Sequence, residues 1–168
     1  MLTLPEKVRR KKQPYLAIRA RLLQRQISKQ ARLYYPELRQ YMQAQGIAET
    51  GHSFLRYNLV SQSSELELEF GYFTDKLHPG GGPMRGGMMP GGTFTSVTWR
   101  GDYSGLRDAH AMLTGWGSIT GAEWDATHTD AGIQYGCRLA VFKKSMLEGL
   151  PPEDWITEIA VLHKSASE

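Results

Sequence analysis

The sequence predicts an α+β fold in which a strand-helix-strand-strand unit occurs twice. Segments that alternate apolar and polar residues indicate strands, and segments with apolar residues three and four positions apart indicate one helix in each half. A segment rich in Gly and Pro separates the two halves, which have similar lengths and the same order of elements. We therefore expect one antiparallel sheet with a ligand cleft at a pseudo-twofold axis.

The first unit covers residues 14–74. A strand is expected at residues 15–23 and a helix at residues 27–45, with Gly46 as its stop signal. Pro36 interrupts the helical pattern, so the helix either kinks or restarts there. Two further strands are expected, joined by a polar turn at residues 61–64, and they occupy residues 52–60 and 65–74.

The second unit covers residues 93–163 and follows a linker at residues 75–92. The linker is rich in Gly but lacks the GxxxxGK[ST] pattern of a phosphate-binding loop. The expected elements are a strand at 93–100, a helix that begins within 101–104, a strand at 134–143 and a last strand that carries Glu158. The expected buried stripe of the helix consists of Leu106, Ala109 or His110, Leu113 and Trp116.

Length and charge indicate a single domain at residues 14–168 behind a disordered basic leader at residues 1–13. Residues 1–32 hold ten Lys or Arg and one acid, whereas the rest of the chain holds ten Lys or Arg and sixteen acids. The leader could contact an acidic partner or be a solvated tail, and without aromatic residues it does not predict nucleic-acid binding. One cysteine, no signal peptide and no apolar run long enough to span a membrane favour the cytoplasm.

The last strand places an acid among apolar residues. Alternation puts one set of side chains on one face (Trp155, Thr157, Ile159, Val161) and the other set on the opposite face (Ile156, Glu158, Ala160, Leu162). A buried carboxylate is unfavourable without a partner, which could be a cation, a proton or a hydrogen-bond network. Glu158 is therefore the first candidate for a functional residue.

Four segments resemble motifs of gyrase-inhibitor-like small-molecule-binding domains. Residues 99–106 (WRGDYSGL) resemble the GPY-x-x-L motif at the start of the second helix of that family, with Asp102 in place of proline. Residues 151–159 (PPEDWITEI) resemble the closing P-x-x-x-x-x-TEI strand. Residues 54–58 (FLRYN) and 66–71 (LELEFG) resemble the ARY and EVG strands of the first repeat.

The resemblance implies a duplicated α+β fold with an aromatic cleft and a central acid, which corresponds to Glu158. It also implies that Tyr57 is the pocket tyrosine of the first repeat and that Phe142 lies near an aromatic position of the penultimate strand. The family includes effector-binding domains of multidrug-sensing transcription regulators, free-standing gyrase-inhibitor proteins and hydrolases of cyclopropane-containing toxins. No helix-turn-helix module is expected before residue 14, so a complete regulator is not expected.

We expect a free-standing domain that binds hydrophobic, often cationic, small molecules as a sensor or a sequestering protein, without a cofactor. The expected ligand-binding residues are Glu158, Tyr57, Trp99, Phe142, Ile156 and Glu69. In an apolar cleft, burial would raise the pKa of Glu158 and a bound cation would lower it again.

Other interpretations stay open. A hydrolase could use Glu158 to activate water or to attack a strained electrophile, with Tyr57 as proton donor or as an orienting group. A protein-interaction module that acts on a topoisomerase or a regulator would use the leader or the linker. Glu158 could also be structural, held by a Tyr hydroxyl or by Arg56 or Arg138. The aromatics could be core, as expected for Trp116 on the helix and for Trp155, which is opposite Glu158 and is therefore expected in the helix-facing core. The histidines and the cysteine show no metal-ligand spacing.

Overall fold

A computed structural model of the chain describes residues 1–63 and 65–165. Residue 64 of the expected turn and residues 166–168 of the expected domain lie outside these ranges. The helices are α1 (Ile27–Gln45) and α2 (Leu106–Thr120). The strands are β1 (Glu6–Arg10), β2 (Gln13–Leu23), β3 (Glu49–Val60), β4 (Glu65–Thr74), β5 (Gly80–Gly81), β6 (Met84–Met89), β7 (Gly92–Arg100), β8 (Ala126–Thr129), β9 (Gly132–Tyr135), β10 (Arg138–Lys144) and β11 (Ile156–Leu162).

The strands form one antiparallel sheet in the order β1-β7-β11-β10-β3-β4-β2-β6-β5, with the β8–β9 hairpin attached to β3. Outward from the central β3–β10 pair, the order is β3-β4-β2-β6 on one side and β10-β11-β7-β1 on the other. Equivalent strands of the two units therefore occupy equivalent positions. The predicted α+β fold with a duplicated strand-helix-strand-strand unit is confirmed.

The prediction that residues 1–13 are a disordered leader is wrong. β1 pairs with β7, from Glu6 opposite Ser96 to Arg10 opposite Gly92. The Met1 amino group also donates a hydrogen bond to the Arg100 carbonyl at 2.8 Å. The segment is ordered because it satisfies backbone groups that β7 would otherwise leave unpaired at the sheet edge.

The linker at residues 75–92 also contains strands. β6 pairs with β2 from Met84 opposite Ile18 to Met89 opposite Gln13. β6 precedes the second unit and β1 precedes the first, and each pairs with the first strand of the other unit. The two units are therefore joined by a reciprocal exchange of their leading strands as well as by the β3–β10 pair.

Two further expectations need correction. The strand expected at residues 134–143 is interrupted, because β9 ends at Tyr135 and β10 begins at Arg138. Trp116 is not core but 40% exposed. The buried residue of that helical turn is Gly117 instead. Any side chain at this position would clash, because its Cβ would lie 2.3 Å from the Trp124 ring.

Both helices cover the same face of the sheet. α1 buries Tyr35, Leu38 and Met42 in a cluster that includes Leu55 and Phe70. α2 contributes Ala109 and Leu113 to a second cluster with sheet residues Val97, Ile159 and Val161. The helices cover different halves of the sheet, which leaves space between them above β3 and β10. Neither helix combines the length and the apolar character needed to cross a bilayer.

Candidate ligand-binding site

A cavity of about 620 Å³ lies between α1 and α2 on the helix-covered face of the sheet. Its floor comes from β3, β4 and β10, and its walls come from the two helices and the loops next to β10 and β11. This volume is within the usual range of small-molecule pockets, roughly 300 to 1,000 Å³. Six aromatic side chains line it: Tyr35, Tyr57, Phe70, Tyr103, Phe142 and Trp155.

Regular spacing in the sequence brings the lining residues together. On α1, Ile27, Ala31 and Tyr35 are each four residues apart and therefore share one side of the helix. On β10, Arg138 and Phe142 are separated by an even number of residues and point to the same face. Tyr57 lines the floor from β3 by the same alternation. Each element thus contributes one face of its own pattern to the cavity.

The aromatic end of the cavity is held in a fixed arrangement. Tyr103 stacks on Trp155 with ring centroids 4.5 Å apart, and its ring lies 5.5 Å from that of Phe142. The Trp155 indole donates a hydrogen bond to the Leu150 carbonyl at 2.8 Å, and the Tyr35 hydroxyl donates to the Phe54 carbonyl at 2.5 Å. These rings offer apolar area to a flat ligand with little loss of side-chain freedom on binding.

Arg138 and His110 form the polar part of the wall. Arg138 donates from Nε and Nη2 to His110 Nδ1 at 3.2 and 3.0 Å, and from Nη1 to the Tyr135 hydroxyl at 2.8 Å. Because a guanidinium can only donate, Nδ1 accepts and the imidazole proton is on Nε2. Nε2 is buried and has no hydrogen-bond partner among the described residues. Burial and the nearby Arg138 charge lower the pKa of His110 to about 3, so the ring is neutral.

The tyrosines of the cavity are also uncharged. Burial raises the pKa of Tyr57 to about 12, although the Arg138 charge acts in the opposite direction. Burial likewise raises the pKa of Tyr103, and the exposed Glu148 adds to this effect. Within the described residues, no group of three His, Cys, Asp or Glu side chains could hold a metal ion. The cavity can therefore interact with a ligand through apolar contacts, hydrogen bonds and the positive charge of arginine side chains.

The cavity contains only part of the predicted residue set. Tyr57 and Phe142 line it, and Trp155, which was expected in the core on the helix side, lines it as well. Trp99 lies outside the lining, where its indole donates to the Asp102 carbonyl at 2.8 Å and its ring packs against Gly105. Ile156 does not line the cavity either, because its position in β11 faces the opposite side of the sheet.

The prediction that Glu158 is a cavity acid without a protein counterion is wrong. Glu158 faces away from the helices, and its carboxylate accepts hydrogen bonds from Arg10 at 2.6 Å and from Ser96 at 2.9 Å. Lys143 lies 4.0 Å away. Burial alone would raise the pKa of Glu158, but these partners outweigh it and hold the pKa below its usual range. The partner that a buried carboxylate requires is supplied by β1.

Glu69 is also outside the cavity, on the same face of the sheet as Glu158. Its side chain is buried, and its oxygens accept hydrogen bonds from the Tyr15 hydroxyl at 3.1 Å and from Arg19 at 3.2 Å. Arg56 lies 3.6 Å from the carboxylate. The predicted role of Glu69 as a cleft wall is therefore not supported by its position.

The hydrolase hypothesis required Glu158 and Tyr57 to act on one molecule. Tyr57 belongs to the helix-covered face with Leu55, whereas Glu158 lies on the opposite face with Ala160. The sheet separates the two side chains, so one small ligand cannot contact both. The sequence analysis missed the cavity role of Arg138 and His110, which it named only as a possible partner of Glu158 and as part of the second helix. The even spacing of Arg138 and Phe142 on one strand was the available signal.

No protein-family model matches the chain, and no curated protein matches it. Among solved structures, the C-terminal domain of EcmrR is similar with a TM-score of 0.77 at 17% identity, over 97% of this chain and 98% of that domain. The EcmrR chain in an EcmrR–DNA complex gives a TM-score of 0.78 at 17% identity over 97% of this chain. The present chain spans 58% of the length of that EcmrR chain.

Two other structures extend the comparison. SAV2435 bound to tetraphenylphosphonium has a TM-score of 0.61 at 9% identity, over 96% of this chain and 94% of SAV2435. A hydrolase from Listeria innocua has a TM-score of 0.56 at 12% identity, over 94% of this chain and 90% of the hydrolase. At sequence identities this low, the similarity shows a shared fold and not a shared function. The resemblance to gyrase-inhibitor-like domains is confirmed at that level: the chain has the fold of the EcmrR C-terminal domain.

Proposed function

We propose that this chain is an effector-binding domain that takes up lipophilic, aromatic small molecules in the cavity between α1 and α2. The observation that carries the proposal is the cavity itself, about 620 Å³ in volume and lined by six aromatic side chains. Transfer of apolar surface out of water, at about 25 cal/mol per Å², would supply most of the binding free energy. The bound molecule would either signal to a partner or be sequestered.

Two structural neighbours support the proposal. SAV2435, with the same fold, is bound to tetraphenylphosphonium, a lipophilic ion with four phenyl rings. EcmrR, whose C-terminal domain has this fold, is found in a complex with DNA. A sensing role for the present domain is consistent with both. The position of Glu158 removes one of the reasons for which cationic ligands were expected, namely a carboxylate in the cavity.

A titration with the neutral fluorescent probe N-phenyl-1-naphthylamine tests the proposal. We expect saturable binding to the parent protein and a loss of affinity of at least about tenfold in Ala31→Phe. Ala31 lines the cavity from α1, so the added ring occupies ligand space. The matched control is Ala44→Phe, because Ala44 is exposed near the end of the same helix.

The two alanine variants separate cavity binding from surface binding. Equal affinities in Ala31→Phe and the parent protein would place the probe elsewhere and reject the proposal. Circular dichroism and thermal unfolding should show that Ala31→Phe is folded, since overpacking can destabilise by about 1 to 3 kcal/mol. Absence of saturable binding in the parent protein would also reject it.

A further inference from the structure

We propose that the cavity selects amphipathic organic anions over cations of the same shape. Such a ligand has an apolar, aromatic body and a carboxylate, sulfonate or comparable negative group. The inference rests on the proposed function, because it specifies the ligand class of the same cavity. It follows from the charges at the cavity wall.

Every ionised side chain in the lining is an arginine. Arg32 comes from α1, Arg107 from α2 and Arg138 from β10, and the lining contains no Asp or Glu among the described residues. His110 does not offset or add to this charge, because the low pKa of its imidazole, about 3, keeps it neutral. Four acids directly adjacent in sequence to lining residues of α2 and the neighbouring loops lie outside the lining: Asp102, Asp108, Glu148 and Asp154. The cavity therefore has a net positive wall.

The cavity arginines differ from most others in the chain. Within residues 1–63 and 65–165, none of the three has a carboxylate oxygen within 4.0 Å. Six arginines outside the cavity do have such a partner: Arg10, Arg19, Arg21, Arg39, Arg56 and Arg100. Six of the nine arginines outside the cavity are thus neutralised by acids of the chain, whereas none of the three at the cavity has a counterion among the described residues; the exceptions outside the cavity are Arg9, Arg25 and Arg85.

Arg138 is the most enclosed of the three cavity arginines and therefore supports the inference most strongly. It is half-buried, donates hydrogen bonds to the His110 imidazole and the Tyr135 hydroxyl, and lies over the Tyr135 ring at 5.0 Å, but none of these partners carries a negatively charged group such as a carboxylate. A charge removed from bulk water without a counterion is unfavourable, and an anion in the cavity would relieve this penalty. The other two arginines are exposed at the helices that flank the space, where they would attract an anion during its approach.

The aromatic rings act in the opposite direction, since ring faces attract cations. That attraction requires contact with an open face, and in the stacked Tyr103–Trp155 pair each ring covers one face of the other. The field of a full guanidinium charge reaches further and is weakly screened in a partly enclosed space. We therefore assign the apolar area to the rings and the choice of charge sign to the arginines.

The experiment compares tetraphenylborate with tetraphenylphosphonium, two ions of matched shape and opposite charge, by calorimetric titration of the full chain in 0.15 M salt. We expect tetraphenylborate to bind at least about tenfold more tightly. The preference for tetraphenylborate is the dissociation constant of tetraphenylphosphonium divided by that of tetraphenylborate. This ratio should fall in Arg138→Gln and in Arg107→Gln, and it should be retained in Arg138→Lys. Arg25→Gln is the matched control, because Arg25 is exposed and outside the lining.

The outcomes distinguish this inference from the proposed function. Binding of phosphonium as tightly as borate would overturn the inference while leaving the cavity as a ligand site. A preference for borate that is unchanged in Arg138→Gln, Arg107→Gln and Arg32→Gln would also overturn it. Arg107→Gln and Arg32→Gln alter exposed side chains, so they keep the test decisive if Arg138→Gln does not fold. Failure of both ions and of the neutral probe to bind would reject the proposed function itself.

Discussion

Replacement of Arg10 by glutamine should lower the free energy of unfolding by about 2 kcal/mol at neutral pH. Arg10 Nη1 lies 2.6 Å from Glu158 Oε1, and the two side chains are only 22% and 12% exposed. Without the guanidinium, the carboxylate keeps Ser96 and the more distant Lys143, which limits the loss. Chemical denaturation at constant m-value measures the change.

The effect of Arg10→Gln should depend on pH in a defined direction. Burial alone would raise the pKa of Glu158, but Arg10, Ser96 and Lys143 lower it below its ordinary value. A carboxyl group whose pKa is lowered by folding stabilises the protein above its unfolded pKa, and this stability is lost as the pH falls through the folded pKa. The difference between the variant and the parent protein should therefore shrink in acid, where a protonated Glu158 needs no counterion.

Two further variants separate this ion pair from other effects of mutating β1. Arg9→Gln changes the neighbouring exposed arginine, which donates to the Thr93 hydroxyl at 3.2 Å, and should alter stability by at most about 0.5 kcal/mol. The double variant Arg10→Gln with Glu158→Gln should recover part of the loss, because no buried charge is then left unpaired. Equal stability of Arg10→Gln and the parent protein would contradict the role of β1 as the partner of Glu158.

Local patterns were sufficient to predict the elements of the two units. The helix at residues 27–45 and the strand at 65–74 have the predicted bounds, because apolar spacing and stop signals are local properties. The faces of β11 were also assigned correctly: Trp155 lines a helix-side cavity and Glu158 faces away from it. What alternation does not contain is which face holds the cavity, since both faces of β11 are apolar: the cleft was predicted on the Glu158 side, and the structure has it on the Trp155 side.

The position of β1 could not be derived from its own residues. The segment is basic, lacks an apolar alternation and pairs with a strand more than eighty residues away, Arg10 lying opposite Gly92. The duplication did contain a signal. The segment before the second unit contains β6, which pairs with the first strand of the first unit. By symmetry, the segment before the first unit should pair with the first strand of the second unit. Arg10 would then have been a candidate partner for Glu158.

Acidification should destabilise the protein through His110, by about 2 kcal/mol between pH 7 and pH 5. Burial, with the Arg138 charge as a second cause, lowers the pKa of His110 from 6.5 to about 3. Between these two values the unfolded chain binds a proton that the folded chain excludes. Unfolding is therefore favoured as the pH falls below about 6.5, and the loss continues down to about pH 3.

His110→Asn tests this prediction without removing the acceptor that Arg138 uses, because the asparagine carbonyl can replace Nδ1. Urea denaturation at several pH values should show a smaller loss of stability between pH 7 and pH 5 in this variant. Part of the loss should remain, because burial also lowers the pKa of His163, followed by the charge of Lys7. His52→Asn, at an exposed position outside the cavity lining, is the control for the replacement of a histidine by asparagine.

The pH window separates His110 from the buried carboxylate. The contribution of Glu158 begins to be lost only near the ordinary pKa of a glutamate, about 4.5, and the loss continues down to its lowered pKa in the folded protein. A loss that is already present at pH 5 therefore reports on imidazole groups. If His110→Asn lost as much stability as the parent protein between pH 7 and pH 5, the cavity wall would tolerate a charged imidazole. The neutral state assigned to His110 beside Arg138 would then be wrong.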